Sequence, residues 1–151
     1  MIKRIDINKE SSAKEVLHLQ YLSYAIEAKL IGYDDLPPLK DTLASIQQSG
    51  ETFFGYHDNE ELWGVISFKI VNHVIDIHRL MVHPNHFRKK VAEKLMSYLE
   101  VQGKENDSMV VSTGTDNTPA LNFYIKYGFE IMGEKEMEEG LWITTFRKIL
   151  M

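Results

Sequence analysis

The chain of 151 residues contains no cysteine. Disulfides, thiolate metal sites and a cysteine nucleophile are therefore excluded, and the fold must rest on its core alone. No run approaches the roughly 18 apolar residues that a membrane span requires, and the opening residues 1–10 are too charged for a signal peptide, so a cytoplasmic location is expected. Positive charge is in short supply: 17 basic against 22 acidic residues leave a net charge of -5. That balance argues against general nucleic-acid binding and mildly favours a cationic small substrate. Repeats, linkers and low-complexity tracts are missing as well, which leaves one domain over residues 1–151.

What is present is a chain whose hydrophobic period changes twice. Ile2, Ile5 and Ile7 suggest a first strand. Val16, Leu17, Tyr21, Tyr24, Ala25 and Ala28 then recur at helical spacing, with Ser11 or Ser12 as the expected N-cap and Gly32 as the stop. "GYDDLPPLK" (residues 32–40) reads as a loop, and Leu39, Leu43 and Ile46 suggest a short second helix closed by Gly50. Strand-like segments follow at 52–56, 62–71 and 74–82, joined by short turns, so they predict an antiparallel meander. From His86 the helical period returns: Val91, Leu95, Met96 and Leu99 form one face, up to Gly103. "MVVST" (109–113) reads as a buried strand that completes a right-handed crossover. A helix from Asp116 to about Gly128, with Pro119 in its first turn, and a final hairpin turning at 138–140 complete the chain. The expected class is α/β with a mixed sheet.

Arg88, Lys89 and Lys90 form a basic loop directly after a strand and at the front of a helix. The first N–H groups of a helix lack internal partners and carry the positive end of its dipole, so such a terminus accepts phosphate. A solvated basic face is the plainer reading of the same triplet. Open α/β sheets tend to bind ligands where a strand hands over to its crossover helix, and that position favours a ligand.

The order strand, "VHP" (82–84), basic loop, "VAEKL" (91–95), strand, "NTPALNFYIKYGF" (117–129) resembles the GCN5-related N-acetyltransferases, which transfer the acetyl group of acetyl-CoA to amines. The family pattern Asn-x-x-Ala-x-x-Phe-Tyr-x-x-x-Gly-Phe is matched by Asn117, Ala120, Phe123, Tyr124, Gly128 and Phe129. The family's Arg/Gln-x-x-Gly-x-Gly/Ala loop falls on Phe87, Lys90 and Ala92, of which only Ala92 conforms. In place of the usual Gly, Lys90 either adds charge beside a phosphate or narrows the loop.

The resemblance implies a mostly antiparallel central sheet of six to seven strands flanked by about four helices. It implies acetyl-CoA as co-substrate, no metal, and a primary amine of a small molecule or peptide as acceptor. The cofactor's pyrophosphate would be held by main-chain groups of Phe87, Arg88, Lys89, Lys90, Val91 and Ala92. Asn117 would contact its pantetheine arm or hold splayed strands, with simple N-capping as the competing reading. Backbone N–H groups over Leu80, Met81 and Val82 would serve the oxyanion. Tyr124 occupies the general-acid position, which the motif favours over the competing reading of one more packed aromatic beside Phe123 and Tyr127. For the base, Asp76 lies where the family often has Glu, and His78, two residues along the strand, shares its face and suits neutral pH; either could instead be a surface group. His83 and His86 lack a third ligand and are weak candidates for a metal. Tyr33, Asp34 and Asp35 lie in a loop that often borders the acceptor in this family.

Two rival readings remain: a non-catalytic module that binds coenzyme A, and an α/β interaction domain whose loop binds an acidic partner. The final hairpin or an open sheet edge could support a homodimer.

Overall fold

The computed structural model describes residues 1–150. Its strands are β1 (Ile2–Ile5), β2 (Thr52–Asp58), β3 (Glu61–Val71), β4 (Val74–Val82), β5 (Ser108–Gly114), β6 (Glu130–Glu138) and β7 (Leu141–Ile149), and its helices are α1 (Glu10–Ile31), α2 (Leu43–Gln47), α3 (Val91–Gln102) and α4 (Thr118–Lys126). The strands form one seven-stranded sheet in the order β1-β2-β3-β4-β5-β7-β6. Only β4 and β5 run parallel, because α3 carries the chain across between them. Among the described residues no helix is long and apolar enough to cross a membrane.

The expected meander is present, with Asn59–Glu60 and Asn72–His73 in left-handed conformation at its tight turns. Two boundaries differ from the sequence reading. Helix α1 begins at Glu10 after Lys9, whose side chain caps nothing, and neither Ser11 nor Ser12 is the cap. The cause is local: Asp6 Oδ1 accepts from the Asn8 N–H at 3.0 Å and Asp6 O from the Lys9 N–H at 3.2 Å, which turns the chain into the helix two or three residues early. Glu10 then complements the dipole and pairs with Lys14 at 3.1 Å. The short second helix is also divided, into a 3-10 turn over Pro37–Lys40 and then α2. Thr42 starts α2 through a capping box with Ser45, so the chain breaks at Asp41.

Two apolar layers cover the two faces of the sheet. Ile75 and Ile77 of β4 face α3, against Leu95, Met96 and Leu99, while Met81 of the same strand faces α1, with Val16, Leu19 and Phe53. Strict alternation would place residues 75, 77, 79 and 81 on one face. The register explains the switch: Phe68 pairs with Ile77 but Ser67 with Arg79, so His78 is an extra residue that reverses the facing of everything after it. Gly64 lets α3 close on the sheet beside this point, because a Cβ there would lie 2.7 Å from Val91 Cγ1.

Candidate active site

Strands β4 and β5 pair only from Val74↔Ser108 to Ile77↔Val111. Beyond the His78 bulge they separate, and between them lies a cavity of about 610 Å³ bounded by α1, β4, the loop before α3, β5 and α4. Because the His83 N–H donates to Trp63 O, ladder alternation turns the N–H groups of Leu80 and Val82 toward the open side.

The loop at one end has an unusual backbone. Arg88 (φ 66) and Lys90 (φ 62) are both left-handed, a conformation that glycine adopts without cost. Lys90 therefore takes up the turn itself at the position where the resemblance expects glycine, and its side chain stands at the cavity wall. The N–H groups of residues 88–93 donate to no protein acceptor among the described residues. Lys89 points elsewhere: its Nζ lies 4.8 Å from the Trp63 ring and 3.3 Å from His86 Nδ1. His86 stacks on Trp63 with centroids 3.8 Å apart and reaches Glu61 Oε1 at 2.8 Å, so the loop is pinned from behind. His83 Nδ1 accepts from the Asn85 N–H, which leaves the two histidines in separate structural roles. Free amides, with Arg88 and Lys90 alongside, form a fitting cradle for a diphosphate.

At the other end stands Tyr124. Its ring packs on Phe123, Phe129 and Phe146, while its hydroxyl has no hydrogen-bond partner among the described residues and is not sealed from solvent. Burial, and next the charge of Glu27, push its pKa above the ordinary phenol value, so it holds its proton at neutral pH. Asn117 caps α4, its Oδ1 accepting from the Ala120 N–H at 3.3 Å, and its Nδ2 donates to Glu27 Oε1 at 2.7 Å.

The remaining expected residues divide. Leu80, Val82, Phe87, Arg88, Lys90, Val91 and Ala92 line the cavity, as do Asn117, Tyr124 and His78. Met81 is buried on the opposite face of the sheet, a consequence of the bulge, and only its backbone belongs to the cleft strand. Lys89 is turned away by its contact with Trp63. Asp76 lies outside the cavity: its carboxylate approaches His78 Nε2 at 3.4 Å, but the bulge separates the two residues' surroundings.

Several cavity residues carry no sequence motif. Tyr24 and Glu27 of α1 line the wall opposite β4, and burial raises the pKa of both. Arg79, delivered by the bulge, donates from Nε to Glu51 Oε1 at 2.9 Å and from Nη1 to Gln20 Oε1 and Asp41 Oδ2, each at 2.8 Å. Ser67 Oγ donates to Glu51 Oε1 at 2.6 Å, and His78 Nδ1 lies 3.6 Å from Glu51 Oε2. Burial opposes the ionisation of Glu51, but hydrogen bonds from Arg79 and Ser67 and the Arg79 charge outweigh it and hold the pKa low. The helical spacing of Tyr24 and Glu27 was the one available signal for this wall.

Residues 14–129 match the Acetyltransferase (GNAT) family. The chain belongs to the GNAT acetyltransferase family. It is 34% identical over 146 residues to the UPF0157 protein YqkA of Bacillus subtilis, a match covering 97% of this chain and 43% of that protein, so the chain spans less than half the length of this curated relative. Among solved structures, the ribosomal-protein-S18-alanine N-acetyltransferase of Escherichia coli superposes with a TM-score of 0.81 at 11% identity, over 99% of this chain and 93% of that one. The PaiA N-acetyltransferase of Thermoplasma acidophilum, solved in complex with coenzyme A, gives 0.69 at 18% identity, over 99% and 98%. At these identities the likeness is one of fold: the seven-stranded, mostly antiparallel sheet with four helices is the GNAT fold.

Proposed function

We propose that this GNAT protein is an acetyl-CoA-dependent N-acetyltransferase acting on a primary amine of a small molecule or peptide by direct attack. The observation that carries the reading is the cleft itself, with free amides of residues 88–93 at one end and the unpartnered Tyr124 hydroxyl at the other. Acetyl-CoA, when bound, supplies an activated acetyl thioester. The amides, with Arg88 and Lys90, hold its diphosphate, and the separated strands admit its arm. The Leu80 and Val82 N–H groups face the gap where carbonyl oxygen gains charge. Tyr124, kept protonated by burial, gives its proton to the departing sulfur. His78, at the bulge and between Asp76 and Glu51, lines the acceptor side and helps order the amine. The likeness of fold to a neighbour solved in complex with coenzyme A supports binding of that cofactor.

The test is a pair of measurements on one variant. Tyr124→Phe should lower kcat for amine-dependent thiol release by about 10²–10⁴-fold. Calorimetric affinity for coenzyme A should stay within about threefold, since the phenol acts on the reacting sulfur and not on the diphosphate. Unchanged turnover would remove Tyr124 from the chemistry, and a wild-type protein that fails to bind coenzyme A would remove the reading as a whole.

A further inference from the structure

We propose that Glu27 receives the acceptor: its carboxylate holds an incoming alkylammonium ion and takes up the proton that must leave before the nitrogen can attack. The proposal rests on the acetyl-transfer reading and sharpens its primary amine to one that arrives as an alkylammonium ion rather than as an arylamine.

Geometry selects this residue. Tyr24 and Glu27 are three positions apart on α1, so both side chains leave the same helix face, and both line the cavity across from Tyr124. Asn117 fixes Glu27 Oε1 at 2.7 Å, while Oε2 has no hydrogen-bond partner among the described residues. The other acids are committed or distant. Glu51 is held by Arg79 and Ser67, Asp41 by Arg79 and Gln20, and Asp76 lies outside the cavity. Glu93 also lines the cavity, but at the first turn of α3, beside the basic loop.

The electrostatics agree. Glu27 shares this end of the cavity with Tyr24 on its own helix, His78 and Arg79 on β4, and Asn117 and Tyr124 at α4, and Glu27, Tyr124, Arg79 and Glu51 all lie close enough to bear on the Tyr24 hydroxyl. Arg79 is the fixed cation among them, and it is already paired with both Glu51 and Asp41. Glu27 is thus an acid at this end without a fixed counter-ion. Burial makes its lone negative charge costly, so an arriving ammonium relieves that cost, and the same burial strengthens the carboxylate as a proton acceptor.

The proton balance is complete with residues already placed. One ammonium proton passes to Glu27, leaving a neutral amine. The C–N bond forms and the C–S bond breaks, with the Tyr124 proton going to sulfur. The second nitrogen proton restores the Tyr124 phenol. Glu27 returns its proton to solvent, so amide, thiol and one released proton are the products.

Glu27→Gln is the informative variant, because the new amide oxygen still accepts from Asn117 and α4 keeps its anchor. Wild type and variant are compared in acetyl-CoA thiol release with n-butylamine, putrescine and glycinamide, and with hydroxylamine, which is already unprotonated at neutral pH. With the best alkylammonium acceptor, kcat/KM should fall by about 10²-fold or more and its acidic limb should disappear. With hydroxylamine the loss should stay under about tenfold, and affinity for coenzyme A should be unchanged. Equal losses on all amines, or a variant that keeps the wild-type acidic limb, would overturn the assignment of Glu27 and leave acetyl transfer standing. A wild type that binds acetyl-CoA yet releases no thiol with any of these amines would overturn both.

Discussion

The two ends of the cleft are built from different material. At the α3 end, the groups presented to a ligand are main-chain amides of one contiguous segment, residues 88–93, with Arg88 and Lys90 beside them. At the α1 end they are the side chains of Tyr24, Glu27 and Arg79, and Arg79 is held in turn by Gln20, Asp41 and Glu51, so that a long helix, a break between two turns, a strand entrance and a bulged strand all contribute. Backbone recognition is indifferent to side-chain identity as long as the chain can adopt the turn. Side-chain recognition is the reverse, because each member strands its partners when removed. The α3 end should therefore tolerate substitution where the α1 end does not.

Arg79→Leu tests that contrast most severely. It leaves Glu51 without its main counter-charge and Asp41 with a lost hydrogen bond, in a network where the Arg79 and Glu51 side chains are only 11% and 6% exposed. Removing one partner of a buried pair costs about 3–5 kcal/mol, so urea unfolding should show a loss in that range. The α3 end should survive, and calorimetry on the folded fraction should find affinity for coenzyme A within about threefold of wild type. A collapse of that affinity would show the two ends to be one unit.

The same contrast explains what could be read from the chain beforehand. Periodicity located the main helices and the strands of the meander, since apolar spacing is the local imprint of burial; β5 showed as an apolar run, and β6, exposed along its whole length, only as the other half of a hairpin turning at 138–140. The α3 loop and the Asn117–Phe129 helix were legible because each is a contiguous pattern. His78 was a different matter. One added residue in β4 reverses the strand's facing, and nothing in "VIDIHRLMV" marks it, so plain alternation pairs Asp76 with His78 in the cleft and gives no sign of Arg79. Glu27 meets Asn117 and Glu51 meets Arg79 only through the tertiary fold, across 90 positions in one case and 28 in the other.

Acid titration separates two carboxyls within the α1 end itself. Glu51 has a pKa below the free value of 4.5, so its stabilisation is present above that pH and lost as pH falls through the folded value, because the unfolded chain protonates first. Glu27 is raised, so the sign reverses: its burial cost is fully present above its folded pKa and is relieved as pH falls toward 4.5. Denaturation between about pH 3 and pH 8 should show Glu27→Gln more stable than wild type at the upper end, the advantage fading toward acid. Glu51→Gln should be less stable at the upper end and lose part of the wild-type decline at low pH. Parallel curves for all three proteins would remove both assignments.

Lys90→Gly gives the smallest change and the sharpest view of the α3 end. At φ 62 and ψ 24 the lysine holds a conformation that costs a side-chain-bearing residue about 1–2 kcal/mol and glycine almost nothing. Glycine loses more backbone freedom on folding, which offsets part of the gain by roughly 0.5–1 kcal/mol. The net expectation is a stabilisation of about 0.5–1 kcal/mol, read from urea unfolding at constant m. If main-chain amides dominate the grip on the diphosphate, affinity for coenzyme A falls by no more than about threefold at roughly 0.15 M salt, where an exposed charge is screened. A tenfold or larger loss would mean that the Lys90 ammonium, and not the turn it allows, is what the loop contributes.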